Sequence, residues 1–355
     1  IDNEDIQYFT VCSTYNPSGI RNSGGGDLRD IDVSDGISIQ QLRTSCLTDL
    51  DCDDVRDTPP YYKVRHCDTG TLGILEDHRA VFLVSPNKEP TEFILKFKES
   101  FPNNVFIFND DRVQKHYIPT IKIHGVVKYL EQDTRQQDLM LIDSDIILRE
   151  KIDYSLFTEN NTVYCSNTKG YLGYQYLKTK GDEIITDMCD YMGITLNDVI
   201  EQNNNSGGAQ LYYKGVDGLL EYFKEIDEKA PKLYDLMVKH PTYNDFKPTI
   251  QAWTSEMWAV LWLLWKRDIK TEIHTELDFR WATDDISLWE TNKILHIAGV
   301  TVGMKDVFFK GGFINKSPFK VDFSYVRENS ITNIYIKEMN QLICDDSFKN
   351  LIELI

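Results

Sequence analysis

"QQDLMLIDSDIILRE", residues 136–150, sets two carboxylates, Asp143 and Asp145, one residue apart at the end of an apolar run. Residues 139–142 read as a short buried strand, and the apolar pattern resumes at 146–148. A carboxylate buried without a partner is costly, so this interruption calls for compensating positive charge. A divalent cation at the strand's end would supply it. A bare D-x-D also arises as a turn cap beside a solvated charge, so the surrounding pattern decides its meaning.

Working outward, strands and helices alternate from residue 79. "RAVFLVS" (79–85) reads as a strand, "EPTEFILKFKESF" (89–101) as a helix and "NVFIF" (104–108) as a strand. "HGVVKYLEQD" (124–133) is the next helix, and "DLMLID" (138–143) is the strand that ends in the acidic pair. This βαβαβ order predicts an α/β fold with a mostly parallel sheet and right-handed crossovers. Ligands on such sheets gather at the carboxyl ends of the strands, where Asp143 and Asp145 fall. Further along, "TVYCSN" (162–167) reads as a strand. Residues 181–193, 217–240 and 254–268 read as helices. "IQYFTVCSTY" (6–15) has strand character, and 16–78 reads as a long Gly-, Asp- and Pro-rich insertion or lid.

The chain has 355 residues, of which 41% are hydrophobic and 12% aromatic, so it can bury a substantial core. No apolar run reaches the ~18 residues that span a bilayer; "MWAVLWLLW" (257–265) reads as a core helix. The net charge of −18 argues against broad attraction to nucleic acid or anionic membrane. Seven scattered cysteines without a C-x-x-C pair suggest reduced thiols. No signal-peptide pattern opens the chain, and the expected setting is cytoplasmic or soluble.

Four other segments carry candidate chemistry. In "KILHIAGVTVGMKDVFFKGGF" (293–313), His296 precedes Gly299, Gly303, Lys305, Lys310, Gly311 and Gly312. It reads either as a core histidine before a Gly-rich turn or as a nitrogen ligand favouring Mn²⁺ over Mg²⁺, with lysines for a diphosphate. "NNNSGGAQLYY" (203–213) is a turn feeding a strand, where Asn204, Ser206 and Gln210 offer hydrogen bonds to a sugar hydroxyl. Gly207 and Gly208 there would admit a ligand against the backbone. "IQAWTSEMWAVLW" (250–262) puts Glu256 in the first turn of a helix that Thr254 or Ser255 can cap. Trp253 and Trp258 beside it suggest a sugar-binding wall. "HTELDFRWATDD" (274–285) adds Asp278, Trp281, Asp284 and Asp285.

The series LIDSD, NNSGGAQ, W-x-x-E-M-W-A-V, E-L-D-F-x-W-A-T and H-x-A-G-V resembles a GT-A glycosyltransferase over about residues 79–320. The nearest resemblance is to hydroxyproline O-arabinosyltransferase and peptidyl-serine galactosyltransferase-like enzymes. It implies a single GT-A (Rossmann-like) domain, with a mixed, mostly parallel sheet flanked by helices and 320–355 as a C-terminal extension. It also implies a metal-dependent transferase that moves a sugar from a nucleotide-diphosphate sugar, such as a UDP-sugar, to an acceptor hydroxyl with retention. Asp143, Asp145 and His296 would hold Mn²⁺ (or Mg²⁺). Thr14, Tyr15, Asn16, Lys122, Asp143, Ser144, Asn204, Ser206, Gly207, Gly208, Trp281, Gly299, Lys305 and Lys310 would bind the donor. Three residues more than the family's H-x-x-G-x-x-K spacing separate Gly299 from Lys305, which makes Lys310 the alternative lysine. Glu256, Gln210 and Asp278 would serve catalysis, with Asp284 and Asp285 further base candidates for an inverting enzyme. The acceptor hydroxyl would lie on a protein or peptide, a hydroxylated DNA base, or a glycan. DNA would need basic residues such as Arg21, Arg29, Lys63, Arg65 and Lys88 gathered on one face. A reading from another class is a non-catalytic nucleotide-sugar-binding module, and a third is a metal-dependent hydrolase of nucleotide sugars.

Overall fold

The computed structural model describes residues 6–14, 79–86, 92–100, 105–133, 138–143, 145–150, 152–245, 248–313 and 321–343, with a few isolated positions between them. The insertion at 16–78, with its basic residues, and Lys88 lie outside the described residues.

The main sheet is built from β1 (Ile6–Thr14), β2 (Arg79–Pro86), β3 (Val105–Ile107), β4 (Asp138–Ile142), β6 (Thr162–Asn167), β7 (Gly207–Lys214) and β8 (Lys270–Ile273). Their order is β3-β2-β1-β4-β7-β6-β8. Every strand runs parallel except β7, which is antiparallel to both neighbours. This is the mixed, mostly parallel α/β sheet expected of a GT-A-like fold. A second sheet, of order β5-β10-β9, comprises β5 (Ile146–Leu148), β9 (Phe279–Trp281) and β10 (Ile294–His296).

The longer helices are α1 (Glu92–Ser100), α2 (Thr120–Gln132), α3 (Asp182–Met192), α4 (Leu219–Lys239), α5 (Ser255–Lys266) and α6 (Thr332–Ile343). Side chains alternate across a strand, and the sheet's two faces bury different partners accordingly. Leu139, Leu141, Val163, Cys165, Leu211 and Tyr213 pack into a cluster formed with α2, α3, α4 and α5. Met140, Ile142, Tyr164 and Tyr212 pack into the opposite cluster, formed with α1, the second sheet and α6. The segment after 320 thus contributes core residues, including Phe323, Ile331, Ile334 and Tyr335. No helix among the described residues is long and apolar enough to cross a membrane. Cys165 and Cys189 are buried and unbridged, and burial pushes both thiols up to about 12, as suits inert core groups.

α2 is clasped to α4 by a charged contact inside the helical layer. The nearly buried His124 ring sits 2.7 Å from Asp227 and 2.6 Å from Asp111. Burial opposes the imidazolium, but Asp227 and Asp111 outweigh it and raise the pKa of His124 above 6.5. A histidine whose pKa rises on folding stabilises the fold fully below the unfolded value and loses that contribution as pH climbs through the folded one. Urea-unfolding stability should therefore fall across this window above pH 6.5, and His124→Gln should flatten the fall. A variant with the wild-type slope would assign the dependence elsewhere.

Candidate active site

The acidic pair lies where the chain leaves one sheet for the other. β4 is fixed at its start, where Asp138 accepts from Lys214 (2.7 Å), the Tyr212 hydroxyl (2.8 Å) and the Gly215 N–H (2.8 Å). The strand ends at Ile142, and the chain re-enters structure as β5, which pairs antiparallel with β10. That pairing sets His296 opposite Ile146, and the Ile297 N–H donates to the Asp145 carbonyl at 2.8 Å. Backbone hydrogen bonds thus bring His296 to Asp145 across about 150 residues of sequence.

The side chains complete the convergence. His296 Nε2 lies 3.2 Å from Asp145 Oδ1 and 3.6 Å from Asp143 Oδ2, and the three ligand atoms all fall within 4.8 Å. The outer carboxylate oxygens face lysines: Lys122 Nζ lies 3.0 Å from Asp143 Oδ1, and Lys310 contacts Asp145 Oδ2. Burial works against the charge on Asp145, but Lys310 and His296 hold its pKa far below the carboxylate range. One oxygen of each carboxylate and one imidazole nitrogen therefore point at a common centre. Cis ligands of an octahedral ion at ~2.1 Å stand about 3 Å apart, so this oxygen–oxygen–nitrogen set fits Mn²⁺ or Mg²⁺. His296 is a core residue, ending a buried strand at 7% exposure, and its Nε2 is placed where it could also serve as a ligand.

Aromatic rings fix the imidazole. Trp281 stacks on His296 at 6.2 Å with an 11° tilt, and Phe279 meets it edge-on at 5.2 Å. Gly299 has φ 79°, in the left-handed region, and a Cβ there would lie 3.1 Å from the Trp281 ring. Tyr171 packs edge-on against the same Trp281 at 6.1 Å.

Lys122 links the acidic pair to α5, since its Nζ also lies 3.5 Å from Glu256. Burial lowers the pKa of Lys122, yet Asp143 and Glu256 outweigh it and hold the ammonium above its ordinary value. Burial raises the pKa of Glu256, with Lys122 opposing. The expected helix cap is not formed: Thr254 Oγ1 donates to the Gln251 carbonyl and Ser255 Oγ to the Ala230 carbonyl. The Tyr117 hydroxyl takes that role, accepting from the Glu256 N–H at 3.0 Å while lying 2.8 Å from Oε2. Nothing in the sequence joins Tyr117 to Glu256, because the contact spans 139 positions. A small cavity is lined by Lys122, Leu141, Gly208, Ala209, Glu256 and Met257.

The remaining candidates divide. Lys310 reaches the acidic pair, whereas Lys305 is exposed. Trp258 is a core residue whose indole N–H donates to the Leu172 carbonyl at 3.0 Å, so the suggested sugar wall loses it. Trp253 is 36% exposed. Asn204 is exposed on a 3₁₀ turn, and the Ser206 hydroxyl donates to the Gln202 carbonyl at 3.5 Å. Gly207 and Gly208 are glycines for packing: a Cβ at Gly207 would lie 2.3 Å from Cys165 Sγ, and one at Gly208 would lie 2.7 Å from Met257 Cε. Asp278 accepts the Asn167 N–H at 2.8 Å, and burial raises its pKa. Asp284 accepts from the Trp281 N–H at 3.1 Å, and Asp285 caps the following 3₁₀ turn. Thr14 ends β1, while Tyr15, Asn16 and Ser144 lie outside the described residues.

No family model and no curated protein matches the chain. Among solved structures it is similar to the apo form of the bifunctional glycosyltransferase WbbM, at 10% identity and a TM-score of 0.45. The match covers 99% of this chain and 52% of that one, so the chain spans about half the length of that protein.

Proposed function

We propose that the protein is a metal-dependent glycosyltransferase that moves a sugar from a nucleotide-diphosphate sugar, such as a UDP-sugar, to an acceptor hydroxyl. The observation that carries this reading is the meeting of Asp143, Asp145 and His296 at the carboxyl end of a central strand, flanked by Lys122 and Lys310. Asp143, Asp145 and His296 would hold Mn²⁺, which when bound supplies Lewis-acid charge against a departing diphosphate. Lys310 and Lys122 set fixed positive charge on either side of that place, so little reorganisation is needed as the leaving group gains charge. Trp281 and Phe279 hold the imidazole in one orientation.

Retention of anomeric configuration is part of the proposal. Asp278, Asp284 and Asp285 each accept a backbone N–H, and Glu256 is engaged by Tyr117 and Lys122. None of these four stands as an unengaged carboxylate ready to deprotonate an acceptor from the opposite face. The leaving diphosphate would then take the acceptor proton. A protein or peptide hydroxyl is the proposed acceptor, and the net charge of −18 counts against DNA.

A thermal-shift screen of nucleotide sugars with Mn²⁺ tests the reading. The correct donor at ~100 times its dissociation constant should add about 2.7 kcal/mol of stability, and the right acceptor should accelerate release of nucleoside diphosphate. Stabilisation without such acceleration by any acceptor hydroxyl would instead indicate a binding module or a hydrolase.

A further inference from the structure

Lys122 is held between two carboxylates from different parts of the fold, and one of them is itself held. Its Nζ lies 3.0 Å from Asp143 Oδ1 and 3.5 Å from Glu256 Oε1. The other oxygen of Glu256, Oε2, lies 2.8 Å from the Tyr117 hydroxyl. A carboxylate gripped at one oxygen presents the other in a fixed direction, so Tyr117 sets where Glu256 Oε1 points. Three contacts in series thus run from Tyr117 through Glu256 and Lys122 to Asp143.

Tyr117 suits that task because it is fixed at every end. Its ring is 2% exposed and stacks on Tyr234 of α4 at 4.9 Å with a 24° tilt. Arg112 donates to its carbonyl at 3.0 Å. The hydroxyl accepts the Glu256 N–H at 3.0 Å, and its single proton lies between Glu256 Oε2 and the Trp253 carbonyl oxygen at 2.6 Å. The charged oxygen is the stronger acceptor of the two. Burial, followed by the charge of Glu256, pushes the pKa of Tyr117 well above its ordinary value, so the phenol keeps that proton.

Resting on the transferase reading, we propose that Tyr117 is a positioning residue for the transfer: its hydroxyl turns Glu256 onto Lys122 and so holds the ammonium in one place between Glu256 and Asp143. The charge of Lys122 then acts where the diphosphate departs. A nucleoside diphosphate carries more negative charge there than the nucleotide sugar does. A misplaced ammonium therefore costs the transition state and the product more than the substrate. In the full chain with Mn²⁺, Tyr117→Phe should lower kcat roughly 10-fold and weaken nucleoside-diphosphate binding by a similar factor, with KM for the nucleotide sugar little changed. The variant keeps the ring stack but leaves the Glu256 N–H without its acceptor, so its thermal midpoint should fall, and assays belong well below that midpoint. Glu256→Gln breaks the series one link further on, and adding Tyr117→Phe to it should lower kcat no further. Additive losses in the double variant would mean that the hydroxyl acts only on the fold and would overturn the inference. Wild-type kcat in Tyr117→Phe, or its failure to fold, would do the same. Failure of the transferase reading looks different: the wild type would release no nucleoside diphosphate from any nucleotide sugar with Mn²⁺, and this inference would fall with it.

Discussion

Asp145→Asn should abolish the Mn²⁺-dependent thermal shift and lower turnover on the order of 10²- to 10³-fold, while leaving the protein folded. The substitution keeps the shape of the side chain and removes the charge that faces both His296 and Lys310. Lys310 is partly exposed, so losing its partner costs little stability. The backbone carbonyl of Asp145 still accepts the Ile297 N–H, so β5 and β10 stay in register. His296→Ala should also abolish the shift, although it removes buried ring contacts with Trp281 and Phe279 and so costs stability as well. His296→Asp separates ligand chemistry from packing: an all-oxygen set should move the preference from Mn²⁺ towards Mg²⁺. Full Mn²⁺-dependent activity in Asp145→Asn would remove Asp145 from the metal site and overturn the site assignment.

Much of this site is legible in the sequence, for identifiable reasons. The run ending at Ile142 is buried at every position from Leu139, and a strand between two covered faces has to read as a continuous apolar stretch. Two carboxylates that follow such a strand stand out because burial makes them expensive. The reversed direction of β7 is less legible, since side-chain periodicity is the same for parallel and antiparallel strands. The second sheet is harder still, because β5, β9 and β10 are three residues each and leave no periodic signal. Lys310 and Lys305 have the same chemistry and lie five positions apart; only the path of the loop places Lys310 on Asp145. Trp258 and Trp253 look equivalent in sequence, and the helix places one in the core and the other at the surface.

The segment that carries Tyr117 is the least legible part and yields the second large expected effect. Arg112→Met should destabilise the protein by about 3–5 kcal/mol. Arg112 grips Asp110 through two hydrogen bonds, of 2.9 and 3.1 Å, and both side chains are at most 3% exposed. The same guanidinium donates to the Tyr117 carbonyl at 3.0 Å and to Thr120 Oγ1 at 2.9 Å, tying the loop to the start of α2. Removing it leaves a buried carboxylate without its hydrogen-bonded countercharge, with only the more distant Lys115 charge beside it. Asp110→Leu combined with Arg112→Met removes both charges and should recover much of the loss, a non-additivity that a double-mutant cycle measures. The pH dependence gives an independent sign. Burial raises the pKa of Asp110, but Arg112 outweighs it, and the folded value lies below 3.8. In the wild type this pair stabilises the fold above the unfolded pKa, and the contribution fades as pH drops through the folded one. Without the guanidinium, burial is opposed only by the backbone N–H of residue 112 and the charge of Lys115, so the folded pKa rises and the stabilisation seen in the wild type is lost. The gap between wild type and Arg112→Met should therefore narrow as pH is lowered through the carboxylate range. A constant gap would attribute the loss to the carbonyl contacts at Tyr117 and Ile118 instead of the buried charge.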